Sequence, residues 1–228
     1  DFSKIEQLLK NAVKGISYTP KPFRKVESEK VIIAIYTDAH VAMETNSDGH
    51  SLYGGEWNQK KLEERMTHFA EDVKRVSKGK ETHIFDLGDY MDGWDGLTSR
   101  KGHDLPQNMD NEKAFMVGVR AKLMQCEILP DANFHNVTND NHSFHFGKIV
   151  NRAVQMMAGD DRYKLYHKFI NHIVIGEHCL IFSHGKDAKN LKFGFSVQLN
   201  EKSRAKIEEY IDFHKLHKYH CTFIKGDS

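Results

Sequence analysis

The chain has 228 residues, enough to bury one sizeable core and cover both faces of a sheet, and too few for a second full domain. Its apolar fraction of 39% and charged fraction of 29% are those of a water-soluble protein, with no apolar run near the roughly 20 residues that cross a bilayer. A net charge of +1 argues against the broad footprint of a dedicated nucleic-acid binder, and Cys126, Cys179 and Cys221, widely spaced and never in a CxxC pair, argue against a disulfide framework or zinc knuckle and for the reducing cytoplasm.

Residues 3–14 carry Ile5, Leu8, Leu9, Ala12 and Val13 at helical spacing, and Pro20 and Pro22 mark an extended connector. Residues 1–30 are therefore expected to form an N-terminal appendage to one domain over 31–228, and nothing in them resembles a secretory signal. The run VIIAIY at 31–36 predicts a strand buried on both faces, ending at Thr37, Asp38, Ala39 and His40. Residues 57–78 show helical spacing with Gly79 as the stop, and THIFDL at 82–87 predicts a second strand ending in Gly88 and Asp89. Residues 93–109, rich in Gly, Asp, Ser and Asn, predict a long loop and 110–129 a helix, so 93–130 is expected as a loop–helix insertion near any site.

A third strand, 133–138, runs into Asn139, Asp140, Asn141 and His142. Helices are predicted at 144–158 and 161–170, and INHIVIGEHCLIFSHG reads as a hairpin with its turn at Gly176 and Glu177, closing on His184 and Gly185. A last helix over 201–217 precedes a strand, 219–225, that runs into Gly226, Asp227 and Ser228. Five strands thus each finish in Asp, Asn or His. In α/β sheets ligands collect beyond the carboxyl ends of strands, so these clusters are expected to meet in space.

Fifteen histidines are more than packing needs, and imidazole is the commonest metal ligand. In an extended backbone, residues i and i+2 share a side, so Asp38 and His40 could face one ion; as turn residues they would do nothing of the kind. In GDYMD, Gly88 permits a tight exit from the strand and Asp89 a carboxylate between two cations, while a helix cap by Asp89 and Asp92 is the alternative. Asn141 could bond its own backbone instead of a metal, and His184 could be a half-buried histidine bonded to a carbonyl.

Taken in order, DAH at 38–40, GDYMD at 88–92, DNHS at 140–143 and SHG at 183–185 resemble the signature of the calcineurin-like metallophosphoesterases: DxH, GDxxD, GNH followed by an acid, a later His, and GHxH. The resemblance covers residues 31–228. It implies an α/β fold, a two-sheet β-sandwich flanked by helices in four layers, with a dinuclear metal site at one end of the sheets. Carried over by position, Asp38 and His40 would bind the first metal, Asp89 would bridge both, and Asn141 and His184 would bind the second. His142 would be the catalytic histidine, oriented by Asp92.

Three departures stand out. Asp140 replaces the motif glycine, Ser143 replaces the acid after the histidine, and Gly226, Asp227 and Ser228 resemble the start of GHxH with Asp227 offering a harder oxygen ligand in place of imidazole. The motif's second histidine would follow Ser228, so a longer native C-terminus is expected to supply it.

The resemblance further implies two divalent ions, manganese first and iron, zinc or magnesium next, and hydrolysis of a phosphate ester, foremost a phosphodiester in a nucleotide or in single-stranded or duplex DNA. A non-catalytic module with a degenerate metal site, or a phosphomonoesterase or protein phosphatase, is the alternative. Lys186, Lys189, Lys192, Lys202, Arg204, Lys206, Lys215 and Lys218 with Phe193 and Phe195 could line a strand-binding groove, although a solvated helix face is the plainer reading. Arg100, Lys101, Arg120 and Lys122 could form a substrate wall.

Overall fold

A computed structural model describes residues 15–45, 56–98, 104–159, 161–190 and 194–227. The helix expected at 3–14, and Arg100, Lys101, Lys192, Phe193 and Ser228, lie outside them.

The described residues form an α/β fold with two sheets. The first sheet is parallel throughout, in the order β1 (Val31–Tyr36), β2 (Glu81–Asp86), β3 (Asn133–Val137) and β4 (Tyr163–Tyr166). The crossovers between its first three strands are α1 (Gln59–Ser77) and α2 (Asn111–Ile128), and α3 (Phe144–Ala158) joins β3 to β4. The second sheet is mixed: β5 (Asn171–Ile175) and β6 (His178–Ser183) form the antiparallel hairpin that the sequence predicts, and β7 (His220–Lys225), entered from α4 (Glu201–Phe213), pairs parallel to β6.

Three apolar clusters hold these elements. Leu62, Met66, Ile84, Phe115, Val119, Phe134 and Val150 join α1, α2 and α3 to one face of the parallel sheet. Phe85, Leu87 and Val137 from that sheet's other face meet Leu180 and Phe182 of the mixed sheet. Cys179 and Ile181 on β6's opposite face pack against Leu216 and, on α4, Ile207 and Tyr210. Each sheet alternates apolar side chains to both sides because successive residues of a strand point to opposite faces.

Two sequence expectations change. β1 is an edge strand and not buried on both faces: Ile32, Ala34 and Tyr36 pack under the helices, while Ile33 and Ile35 are about two-fifths exposed. A continuous apolar run carries no sign of which strand lies at the edge. The helix predicted over 161–170 is instead a turn followed by β4. Tyr163 and Leu165 both join the helix-side core, a spacing of two and not 3.6, and the Arg162 guanidinium binds the carbonyls of Pro130 and Cys126, which anchors the segment in line with β3. No described helix is long and apolar enough to cross a membrane.

Candidate metal centre

The site lies beyond the carboxyl ends of β1, β2, β3 and β6, and backbone pairing that outlasts the strands assembles it. Past β1 and β2 the chain still bonds in parallel: Asp38 N–H to the Gly88 carbonyl at 3.0 Å, His40 N–H to Asp89 at 3.0 Å, and Asp92 N–H to Val41 at 3.0 Å. Asp38 and His40 are therefore held beside Asp89 and Asp92. They are not extended, contrary to the i and i+2 expectation: φ is 55° at Asp38, 44° at His40, 48° at Asp89 and 52° at Asp227. Non-glycine residues in the left-handed region cluster at functional sites because the surroundings must over-determine them.

Gly88, at φ 106°, makes room: a Cβ there would lie 3.0 Å from Asp140 Cβ and 3.1 Å from His184 Cγ. The segment from Gly88 to Asp92 is not helical, so Asp89 and Asp92 cap no helix of their own. Asp89 instead accepts the His142 backbone N–H at 2.9 Å through Oδ1, and its Oδ2 lies 3.1 Å from His184 Nε2 and 3.9 Å from His142 Nε2.

His184 ties the two sheets together. Its Nδ1 donates to the Leu87 carbonyl at 3.1 Å, leaving Nε2 facing Asn141 Oδ1 at 3.0 Å and Asp89. His40 is arranged alike, with Nδ1 on Asp92 Oδ1 at 2.9 Å and Nε2 3.8 Å from Asp38 Oδ1. The same Asp92 oxygen lies 3.3 Å from His142 Nδ1, so one buried carboxylate orients two imidazoles whose rings stand edge to face at 4.6 Å. In both His40 and His184 an acceptor holds Nδ1 and frees Nε2, the arrangement of a metal-ligating histidine.

The ligand atoms of Asp38, Asp89 and His184 lie within 4.8 Å of one another, as do those of His40, Asp92 and His142. Carboxylate, amide and imidazole donors converging in this way fit divalent cations of intermediate hardness. The electrostatics agree. Burial alone would push His40 and His184 down, yet the carboxylates of Asp38 and Asp92 raise His40 to about 10 and Asp89 raises His184 to about 9. Burial opposes the ionisation of Asp89 as well, but the imidazoles, His184 first, hold it well below the usual carboxylate range. The clustered carboxylates thus favour positive charge at this position.

A raised folded pKa adds stability that is complete below the unfolded value near 6.5 and is lost as pH climbs through the folded value. Metal-free protein is therefore expected to lose thermal stability between about pH 6.5 and about pH 10, and the gap between it and His184→Gln should narrow between about pH 6.5 and about pH 9. Melting curves in chelator across that range check this; a gap independent of pH would remove the coupling.

The remaining predicted residues divide. Asn141 and His142 sit in the cluster. Asp227 reaches its rim: its N–H lies 3.3 Å from Asp38 Oδ2, while its carboxylate pairs with Lys186 at 2.7 Å. Lys202 and Arg204 lie on α4, and Phe195 is buried against Phe169 and Phe223, so these do not make a strand-binding groove. Lys122 is buried and so builds no substrate wall, while the exposed Arg120 reaches the Gly15 carbonyl.

Three supports escaped the sequence reading. Thr37 Oγ1 donates to Asp38 Oδ2 at 2.6 Å. Lys186 holds Asp227. Most informative, the departures Asp140 and Ser143 form one unit: Asp140 Oδ1 accepts the N–H of Ser143 at 2.7 Å and of Phe144 at 2.9 Å, and Ser143 Oγ donates to both carboxylate oxygens. This brace opens α3 and fixes the loop that carries Asn141 and His142. An acid three residues ahead of a serine at a predicted helix start is the signal that could have revealed it. Burial, then the charge of Asp89, pushes Asp140 up to about 7. Set against known proteins, the chain matches no family model, no curated sequence and no solved structure.

Proposed function

We propose that the chain is a metal-dependent phosphoesterase that hydrolyses a phosphodiester at a dinuclear centre. The observation that carries this is the convergence of two donor groups, Asp38, Asp89 and His184 in one and His40, Asp92 and His142 in the other, with His40 Nε2 3.8 Å from Asp38 Oδ1 and Asn141 Oδ1 3.0 Å from His184 Nε2. The succession of helices, parallel sheet, mixed sheet and α4 supports the four-layer sandwich that the resemblance implies.

Bound divalent ions, manganese foremost with iron, zinc or magnesium as alternatives, would supply the positive charge that neutralises phosphate oxygens and acidifies water. Asp38, His40, Asp89, Asn141 and His184 would hold them. His142 does the proton work. With Nδ1 held by Asp92, Nε2 faces the cluster, where it can hydrogen-bond a phosphoryl oxygen or serve the leaving oxygen as general acid. His142→Ala is expected to cut turnover about a hundredfold or more while both metals stay bound, as assayed by steady-state kinetics beside metal analysis of the same sample. Metal lost from that variant would make His142 a ligand.

A second reading has one observation in its favour. The Asp227 carboxylate pairs with Lys186 and belongs to neither of the two donor groups, as expected of a binding module with a degraded centre. Metal analysis separates the two, with hydrolysis of bis(p-nitrophenyl) phosphate as the second readout: two equivalents with turnover support the enzyme, and no bound metal supports the module.

A further inference from the structure

The charge of +1 on the whole chain conceals an uneven surface. Of the four described helices, α3 alone contains no carboxylate; α1, α2 and α4 each mix acids with bases. Its exposed positions His145, Lys148 and Arg152 follow at spacings of three and four, which places them along one stripe of the helix. Because α3 begins two residues after His142, the stripe starts at the candidate metal centre and leads away from it.

Neighbouring elements extend the same charge. Lys189 lies 5.4 Å from the centre of the Phe144 ring, and that ring contacts His145 at 4.1 Å. Farther along, Arg152, Lys164, Tyr166 and His167 share one hollow of about 490 Å³ at the β4 edge. Burial first, then the charges of Lys189 and Lys148, lowers His145, and burial first, then Lys148 and Arg152, lowers His167. Lys148 thus lies near both imidazoles, Lys189 near the first and Arg152 near the second. Among the described residues, the carboxylates on the neighbouring segments include Asp187, whose Oδ1 accepts the N–H groups of Lys189 and Asn190, and the exposed Asp161 ahead of β4.

Aromatic rings stand at the end nearest the centre. Phe144 is half-buried, and Trp94, two residues after Asp92, is 37% exposed and edge-on to Phe146 at 5.0 Å. A row of cations that ends in partly exposed rings is the combination that holds a single strand, with phosphates on the cations and unstacked bases on the rings. A duplex keeps its bases stacked inside and makes no use of such rings.

We propose that the exposed face of α3, continued by Lys189 and by the hollow of Arg152, Lys164 and His167, is a track for single-stranded nucleic acid leading into the metal centre. This rests on the phosphodiesterase reading for what happens at the end of the track, but the binding itself does not require it.

The test uses the full chain and a fluorescent phosphorothioate oligothymidylate, which keeps the backbone charge and resists hydrolysis, with anisotropy measured over a salt series. Lys148→Glu combined with Arg152→Glu is expected to weaken binding at least about tenfold at low salt and to flatten the slope of log K against log salt by about 1.4. Lys202→Glu with Arg204→Glu on α4 should leave the affinity unchanged, and the milder Lys148→Gln with Arg152→Gln should show the same loss in smaller measure if the reversal pair folds poorly. Equal affinity in the α3 variants, or a duplex of the same sequence bound as tightly as the single strand, overturns the track. Hydrolysis of bis(p-nitrophenyl) phosphate by the unaltered protein tests the centre separately. Turnover without oligonucleotide binding sinks only the track, and binding without turnover sinks only the hydrolase.

Discussion

Asp89→Asn is expected to abolish metal-dependent hydrolysis of an aryl phosphodiester while the protein still folds. The exchange keeps the size of the side chain and removes its charge. Asp89 is almost fully buried and contributes both oxygens, one to the His142 backbone and one to His184, so its charge is the local compensation for imidazoles on either side. Loss of a group that merely supports a ligand costs about ten- to a hundredfold in affinity or activity. In the role proposed for Asp89, a carboxylate shared by two cations, its charge would hold both ions as well, so the drop in turnover should exceed about a thousandfold. Metal content should fall below two equivalents in the same preparation. An Asp89→Asn variant that turned over at the original rate with both ions bound would leave the dinuclear reading without its bridge.

The second large effect is on stability and does not depend on any functional reading. Lys122, from the middle of α2, places its ammonium 2.5 Å from Asp86 Oδ2, 2.8 Å from Asn136 Oδ1 and 4.1 Å from the centre of the Tyr90 ring, with both charged groups about 1% exposed. Asp86 Oδ1 in turn accepts the Gly88 N–H at 3.0 Å, so the pair stands directly under the turn that presents Asp89. Lys122→Met would strand a carboxylate in the core, and breaking a buried pair from one side costs about 3–5 kcal/mol. For a chain of this size the thermal midpoint should fall by on the order of 10 °C.

Burial already pushes Asp86 up, so without Lys122 it should take a proton readily, and the loss should be smaller at mildly acidic pH than at alkaline pH. Adding Asp86→Leu should restore part of the stability, since an apolar pair often replaces a buried ion pair at little cost. Recovery should stay incomplete because the Gly88 N–H loses its acceptor. Melting curves of the two variants at two pH values decide the matter; an unchanged midpoint in Lys122→Met would mean the pair is not buried as described.

Much of the element order was legible along the chain because local signals carry it. The hairpin at Gly176 and Glu177 and the helix at 144–158 follow from periodicity and turn chemistry and agree with the structure. The segment at 161–170 failed for a tertiary reason: its strand exists because β3 offers an open edge and because Arg162 finds the carbonyls of Pro130 and Cys126, partners more than 30 residues away. The same limit hid the edge position of β1, since strand order is absent from a one-dimensional pattern.

By itself, the sequence determined which residue types stand at the ends of the strands and in what order, and for a parallel sheet that is enough to expect Asp38, Asp89 and Asn141 to gather at one end. Only the tertiary structure decided how they meet. Backbone bonds between residues 38–41 and 88–92 set the left-handed turns, the Leu87 carbonyl chose which nitrogen His184 presents, and Asp92 came to serve two histidines. It also turned two motif departures into a brace between Asp140 and Ser143 and drew Asp227 toward Lys186. Chemical identity is written residue by residue, whereas the direction of a lone pair depends on neighbours that only folding brings within about 3 Å, the range over which hydrogen bonds act.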